Sequence, residues 1–235
     1  LFSADTRTSG RQQADITGLI GQYAHGNEPS HHMAYLYCYA NRPWKTQGLV
    51  RRIMDTLYGD NPAGLCGNED CGQMSAWYIM SAMGFYPVTP GQPIYVIGSP
   101  LFEKISIDVG KAKKFEILAP NVSGENIYIQ SLRLNGRPRT KSWIGHADIL
   151  KGGTLEFTMG PDPNKKWGSS DGDIPFSAIT EHPVVPVPYI SSGSPTFSST
   201  TKVALASVQP GARIYYTMDG SIPSKASNLY KQPIL

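Results

Sequence analysis

The run GNEDCGQMSAWYIMSAMGFYPV, residues 67–88, places an acidic, amide-rich turn directly before a helical segment that is apolar on nearly every side. This combination indicates polar functional side chains that a buried helix holds in place. A second polar turn, HGNEPSHH at residues 25–32, has the same design and also precedes a helical pattern. We therefore expect the two turns to face one pocket.

Composition favours a folded, strand-rich protein of a non-cytosolic type. Of the 235 residues, 40% are hydrophobic, which is enough for a core, and only 17% are charged. The net charge of +3 comes from scattered Lys and Arg residues, so we expect no nucleic-acid partner. The absence of a run of ~18 apolar residues predicts no membrane span, and the N-terminus does not have the pattern of a signal peptide.

Three cysteines, Cys38, Cys66 and Cys71, do not match a disulfide framework or zinc-ligand spacing. A local Cys66–Cys71 bridge and three free thiols are both compatible with this count.

Residues 1 to about 86 have helical patterns. Apolar residues recur at helical spacing after Pro43, which suits a first helical turn. The segment before Gly84 has almost no polar face, which is typical of a helix inside a larger helical body. The predicted helices are His32–Ala40, Pro43–Tyr58 and Gly72–Met83.

From Pro87 onward, apolar and polar residues alternate between turns such as Asn135-Gly136, which predicts an antiparallel β-sandwich at about 92–160. A proline-rich segment at 160–190 reads as a linker without a core. Two further strands are predicted, Lys202–Ala206 and Arg213–Thr217. Because three helices do not close a helical barrel, and two or three strands do not close a sandwich, we expect a piece of a larger protein, cut at both ends.

Three stretches carry a family resemblance: GRQQADITGLIGQYAHGNEPSHHMAYLY (10–37), RPWKTQGLVRRIMDTLY (42–58) and GNEDCGQMSAWYIMSAMGFYPVTPG (67–91). They resemble the family-92 glycoside hydrolases, the calcium-dependent exo-α-mannosidases. The tail, with GARIYYT at 211–217 and Asp219-Gly220-Ser221, resembles the chitobiase/β-hexosaminidase C-terminal module, usually a spacer.

The resemblance implies a mixed α and β fold class. Its predicted parts are the last helices of an (α/α)6 catalytic barrel (1–90), an antiparallel β-sandwich portion (91–165), a Pro-rich linker (166–190) and a partial β-sandwich module (191–235).

The chemistry implied by the resemblance is inverting hydrolysis, in which two carboxyl groups ~6.5–9.5 Å apart act as general acid and general base. The resemblance assigns the base to Asp70. Some members have a second aspartate where this chain has Asn68, which then only orients water or sugar. The family's general acid lies upstream of the first residue, so we expect this chain to be inactive alone.

Calcium prefers oxygen ligands, and the residue types themselves assign Asn27 and Glu28 to the metal, with help from the turn at 68–70. The plainer alternatives are a turn or cap role for Glu28, and cap or core roles for His31 and His32. The residues predicted to contact substrate are His25, His31, Glu69, Gln73 and Gln12.

The leading hypothesis is therefore the C-terminal part of an exo-α-mannosidase acting on mannose-rich glycans, most plausibly at α-1,2 or α-1,3 bonds. We expect it to be secreted, periplasmic or at the cell surface of a bacterium, with the N-terminal part of the enzyme as its partner. The alternative is a non-catalytic carbohydrate-binding or cell-surface module, and a purely structural adhesin segment ranks last.

Overall fold

A computed structural model describes residues 1–7, 16–177 and 186–235 of this mixed α and β chain. The chain divides into two compact units, Leu1–Ser177 and Ala178–Leu235. The predicted sugar contact Gln12 lies outside the described residues. Within the described ranges, no helix combines the length and apolarity needed to cross a membrane.

The first unit begins with a short hairpin in a region where the sequence predicts helix. Gly18 and Gly21 have φ angles of 61° and 63°, a left-handed conformation that glycine adopts without strain and that turns the chain back. The all-helical prediction for residues 1–86 is therefore wrong at this point. The two strands are β1 (Leu19–Ile20) and β2 (Tyr23–Ala24).

The helices of the first unit follow the predicted pattern closely at two of three places. Pro43 opens the longest helix, and Val50, Ile53 and Met54 are buried along one face of it. The helix after the acidic turn also begins and ends within a residue of its prediction. The α-helices are α1 (Leu36–Tyr39), α2 (Pro43–Leu57), α3 (Gln73–Ala82) and α4 (His146–Leu150).

The predicted helix His32–Ala40 is wrong as a single element. The structure has 3₁₀ turns at Glu28–Ser30 and Met33–Tyr35, followed only by α1. The backbone carbonyl of His31 accepts the indole N–H of Trp77 at 3.0 Å, and the amide of Tyr35 bonds instead to the carbonyl of His32 at 3.0 Å. The tertiary contact replaces an α-helical bond, and the segment tightens to 3₁₀ geometry.

The β-strands of the first unit form a three-stranded and a five-stranded sheet, in the orders β3-β4-β9 and β5-β6-β10-β7-β8. The strands are β3 (Phe85–Tyr86), β4 (Ile94–Ile97), β5 (Lys104–Asp108), β6 (Lys114–Leu118), β7 (Tyr128–Leu134), β8 (Arg137–Pro138), β9 (Trp143–Gly145) and β10 (Gly153–Gly160).

The expectation of a purely antiparallel sheet is wrong for one pair, because β10 runs parallel to β6. The chain reaches β10 by a long crossover through β7, β8, β9 and α4, as a parallel pair requires. β10 pairs in antiparallel fashion with β7 on its other side.

Two hydrophobic clusters fill the first unit, one around Trp77 and the helices and one behind the sheets. Helix α2 joins them: Gln47 Oε1 accepts the backbone N–H of Ile129 at 3.0 Å, and the Arg51 guanidinium donates to the carbonyl of Pro100 at 2.9 Å. The loops that carry the two polar turns therefore rest on a base that is fixed to the sheets.

Helix α3 is buried on one side only. Trp77 is 0% exposed, whereas Ile79 is 58% exposed, so this helix turns an apolar residue to solvent within the described chain. The expected full enclosure of α3 is not complete here.

Residues 166–177 differ from the predicted coreless linker. Trp167 is buried in the cluster behind the sheets, and its indole N–H donates to the carbonyl of Arg139 at 3.1 Å. This segment belongs to the first compact unit.

The second unit is built of short antiparallel strands. Two strand pairs are present, β11 with β12 and β13 with β14. In each pair one strand, β12 or β13, lies within a predicted tail strand, and its partner was not predicted. The hydroxyl of Tyr230 accepts the backbone N–H of Leu205 at 3.0 Å and joins the two pairs. The strands are β11 (Tyr189–Ser192), β12 (Ala204–Ala206), β13 (Tyr215–Tyr216) and β14 (Asn228–Leu229).

Candidate functional site

The two polar turns meet, as the sequence predicts, through a contact between carboxyl groups. The side chains of Glu28 and Asp70 hydrogen-bond to one another. This bond is the main reason that the pKa of Glu28 lies below its usual range, and the nearby His31 contributes a smaller effect in the same direction. The contact therefore brings one carboxyl group from each turn to the same place.

The backbone around Asp70 is bent into an uncommon conformation. Asp70, Cys71 and Gly72 have consecutive φ angles of 50°, 57° and 89°, all in the left-handed region. Non-glycine residues pay of order 1–3 kcal/mol to sit in such sparsely populated regions. The bend brings Asp70 to the start of α3, where its carbonyl accepts the N–H of Gln73 at 3.2 Å.

Glu69 caps helix α3. Its two carboxylate oxygens accept the backbone N–H of Ser75 at 3.0 Å and the hydroxyl of Ser75 at 2.8 Å. A negative charge at this end of a helix is favourable because the first N–H groups point toward it. In this chain Glu69, a predicted sugar contact, thus accepts a hydrogen bond from Ser75 on each of its carboxylate oxygens.

His25 begins the first polar turn, and both of its ring nitrogens have a hydrogen-bond partner. Nδ1 bonds to the hydroxyl of Tyr23 at 2.7 Å, and Nε2 bonds to the hydroxyl of Tyr58 at 2.6 Å. The residue is 0% exposed, and burial lowers its pKa to about 3, with a smaller effect from His31. His25 is therefore neutral and packed against the rings of Tyr58 and Trp77.

His31 connects the first turn to α3. Its Nε2 donates to the carbonyl of His25 at 2.9 Å, and its Nδ1 lies 3.0 Å from the amide nitrogen of Gln73. The same amide nitrogen lies 3.1 Å from the hydroxyl of Tyr86. Burial lowers the pKa of His31, so the neutral ring is favoured.

Sequence reasoning missed three tyrosines of this network: Tyr23, Tyr58 and Tyr86. Each has the spacing of a core aromatic residue, and the sequence contains no signal that its hydroxyl is bonded to a polar group of the turns. Only the tertiary arrangement shows that the hydroxyl of Tyr58 accepts a hydrogen bond from Nε2 of His25 and donates one to the carbonyl of Met74 at 3.0 Å.

The donor set of the turns is chemically suited to a hard cation. Glu28 and Asp70 supply carboxylate oxygens, and Asn27 and Asn68 lie in the same two turns. In the part of the chain that the structure describes, no three His, Cys, Asp or Glu side chains form a metal-binding group. The residues present therefore fit an oxygen-binding ion, with further ligands needed from water, amides or elsewhere.

A cavity of about 480 Å³ opens beside this network. It is lined by Tyr58, Tyr78 and Ile79 on one side and by the loop around Asp60 on the other.

All three cysteines are free, which decides between the two alternatives that the sequence left open.

The comparisons with known proteins identify the family of this chain. Residues 1–161 match the family model of the glycosyl hydrolase family 92 catalytic domain, and this chain belongs to that family of glycoside hydrolases. Residues 191–235 match the model of the chitobiase/beta-hexosaminidase C-terminal domain, so the two modules suggested by the sequence are confirmed.

Solved structures of the family resemble the chain. A family GH92 α-mannosidase from Bacteroides thetaiotaomicron, in complex with mannoimidazole, is 48% identical with a TM-score of 0.67, over 69% of this chain and 21% of that one. A family GH92 inverting mannosidase from Bacteroides thetaiotaomicron VPI-5482 is 46% identical with a TM-score of 0.64, over 67% of this chain and 21% of that one.

A fungal protein from Arthroderma benhamiae, named an uncharacterized secreted glycosidase, is 38% identical over 65% of this chain. The chain spans 20% of the length of this relative.

Proposed function

We propose that this chain supplies the general base and part of the sugar-binding wall of a calcium-dependent, inverting exo-α-mannosidase. The observation that carries the proposal is the contact between Glu28 and Asp70, made by the two turns that match the family. Carboxyl groups that two turns bring together are suited to holding and moving a proton.

In this proposal Asp70 removes a proton from a water molecule while that water attacks the anomeric carbon from the face opposite the leaving group. The bond from the anomeric carbon to the glycosidic oxygen breaks, and a general acid outside this chain protonates that oxygen. Asn68 has no carboxylate, so it orients the water or the sugar. The family relationship and the Glu28 contact are what support Asp70 as the base.

Glu28 and Asn27 would hold the calcium ion. When bound, the ion supplies a positive charge that draws sugar hydroxyl oxygens into a fixed position. The carboxylate and amide oxygens of Asn27, Glu28, Asn68 and Asp70 support this assignment.

Gln73, Glu69 and Gln12 are proposed to contact the sugar, and His25 and the buried His31 to support them. Terminal α-mannosidic bonds, α-1,2 or α-1,3, are the proposed target. The helices are proposed to be the end of an (α/α)6 barrel whose other walls come from the rest of the enzyme, since the chain spans only about a fifth of its solved relatives. The sheets after residue 90 are proposed to be a sandwich portion.

Secretion is part of the proposal and is supported by the name of the fungal relative. A bacterial source stays a prediction, because relatives from a fungus and from a bacterium both match.

The stereochemistry of the product tests the proposed reaction. We expect the full-length enzyme to release β-mannose first from an α-mannoside, as NMR of the anomeric proton would show within the first turnovers. First-formed α-mannose would contradict the inverting mechanism. Glycan binding without any hydrolysis would favour the alternative, a carbohydrate-binding module.

Metal removal is expected to abolish activity in a selective way. A chelator removes the ion from an oxygen-only site, so turnover should return on adding calcium and not on adding zinc, which prefers nitrogen and sulfur ligands. Initial rates before and after each addition check this. Activity that survives the chelator, or that only zinc restores, would overturn the metal assignment.

A further inference from the structure

In the chain of hydrogen bonds from His25 through His31 to Gln73, the donor and the acceptor of each bond are fixed. The carbonyl oxygen of His25 only accepts, so Nε2 of His31, 2.9 Å away, must carry the proton of the neutral ring. Nδ1 of His31 is then an acceptor, and the amide nitrogen of Gln73 donates to it across 3.0 Å. A reversed amide would place its oxygen against the lone pair of Nδ1. The orientation of Gln73 is thus set by His31.

The hydroxyl of Tyr86 completes this polarity. It accepts the second amide hydrogen of Gln73 at 3.1 Å. The amide oxygen of Gln73 has no donor, and the hydroxyl hydrogen of Tyr86 has no acceptor, among the hydrogen bonds of the described ranges. A fixed acceptor on Gln73, at the start of α3, and a fixed donor on Tyr86, in β3, therefore lie next to each other.

We propose that Gln73 and Tyr86 read a pair of adjacent sugar hydroxyls, with His31 as the positioning residue that fixes their polarity. This inference rests on the proposed function. The amide oxygen of Gln73 accepts from one hydroxyl, and the phenol of Tyr86 donates to the oxygen of its neighbour. A pyranose ring offers such pairs because each hydroxyl is both donor and acceptor. The two residues then determine specificity, whereas Asp70 performs the proton transfer.

Kinetic selectivity tests the reading of hydroxyls. The ratio of kcat/KM between an α-mannoside and each of its monodeoxy analogues is measured for the full-length enzyme. We expect Tyr86→Phe and Gln73→Leu each to bring the ratio for one analogue toward unity, by about 2- to 12-fold, the value of a single hydrogen bond. Tyr95→Phe is the matched control, since that hydroxyl bonds to His146 at 3.0 Å. Unchanged selectivity in both variants would contradict the proposed recognition of sugar hydroxyls by Gln73 and Tyr86.

The role of His31 is tested without turnover. In enzyme labelled with [15N]histidine, we expect the His31 ring to be protonated at Nε2 and bare at Nδ1. His31→Phe should remove the selectivity while Gln73 and Tyr86 are still present. A proton on Nδ1, or a His31→Phe enzyme with unchanged selectivity, would overturn the positioning role. Because the labelling reports on an inactive enzyme as well, its failure is distinguishable from a failure of the proposed reaction.

Discussion

Replacing Asp70 by Asn in the full-length enzyme should leave the fold intact and lower kcat by ~10²–10⁴-fold, the usual contribution of general-base catalysis. The amide keeps the size of the carboxyl and its ability to bond to Glu28, but it does not take a proton from water. Asp70 already has the strained φ of 50°, which asparagine tolerates well, so the turn itself should survive.

The measurement is kcat at saturating substrate, together with circular dichroism and the melting temperature. Asp162→Asn is a matched control, because that side chain is exposed and lies beyond the last strand of the five-stranded sheet. A near-normal kcat for Asp70→Asn would show that another group is the base. A loss of equal size in the control would point to a general effect of the substitution.

Trp77→Ala should cost about 3–5 kcal/mol of unfolding free energy, as is typical of a buried aromatic side chain. Trp77 is 0% exposed, stacks on Tyr58 with ring centres 6.0 Å apart, and meets the ring of His25 edge-on at 4.4 Å. The substitution also removes the donor to the carbonyl of His31.

Denaturant unfolding of this chain measures the loss, and Ile79→Ala is the control in the same helix. Because Ile79 is 58% exposed, its truncation in this chain should change stability by no more than about 0.5 kcal/mol. Equal effects of the two substitutions would contradict the one-sided burial of α3. In the full-length enzyme, a larger effect of Ile79→Ala is expected if other helices cover this face.

The sequence predicted those features that depend on local patterns. Periodicity placed α2 and α3 within a residue, and the alternation after Pro87 located most of the strands. It also predicted that the two polar turns face each other. The helices and strands follow from local patterns of apolar residues and from turn residues, which a single segment already encodes. The meeting of the turns was inferred from their similar design.

Features that depend on distant partners were not predictable. The sequence near His31 contains no sign that its carbonyl accepts the indole N–H of a residue in α3. The segment was therefore predicted as one helix, whereas it forms 3₁₀ turns. The parallel pairing of β10 with β6 depends on the path of the chain between them. The tyrosine hydroxyls around His25 and Gln73 were hidden for the same reason, since their rings look like ordinary core residues.

The indole bond from Trp77 to His31 also bears on when the site forms during folding. The two residues are 46 positions apart, so the first turn reaches its native geometry only after α3 has docked. Contacts between distant residues pay the entropy of closing a long loop before they contribute stability. On the ribosome, the first turn must therefore wait for synthesis of the second. A half-finished chain that lacks the second turn therefore does not present the carboxyl pair.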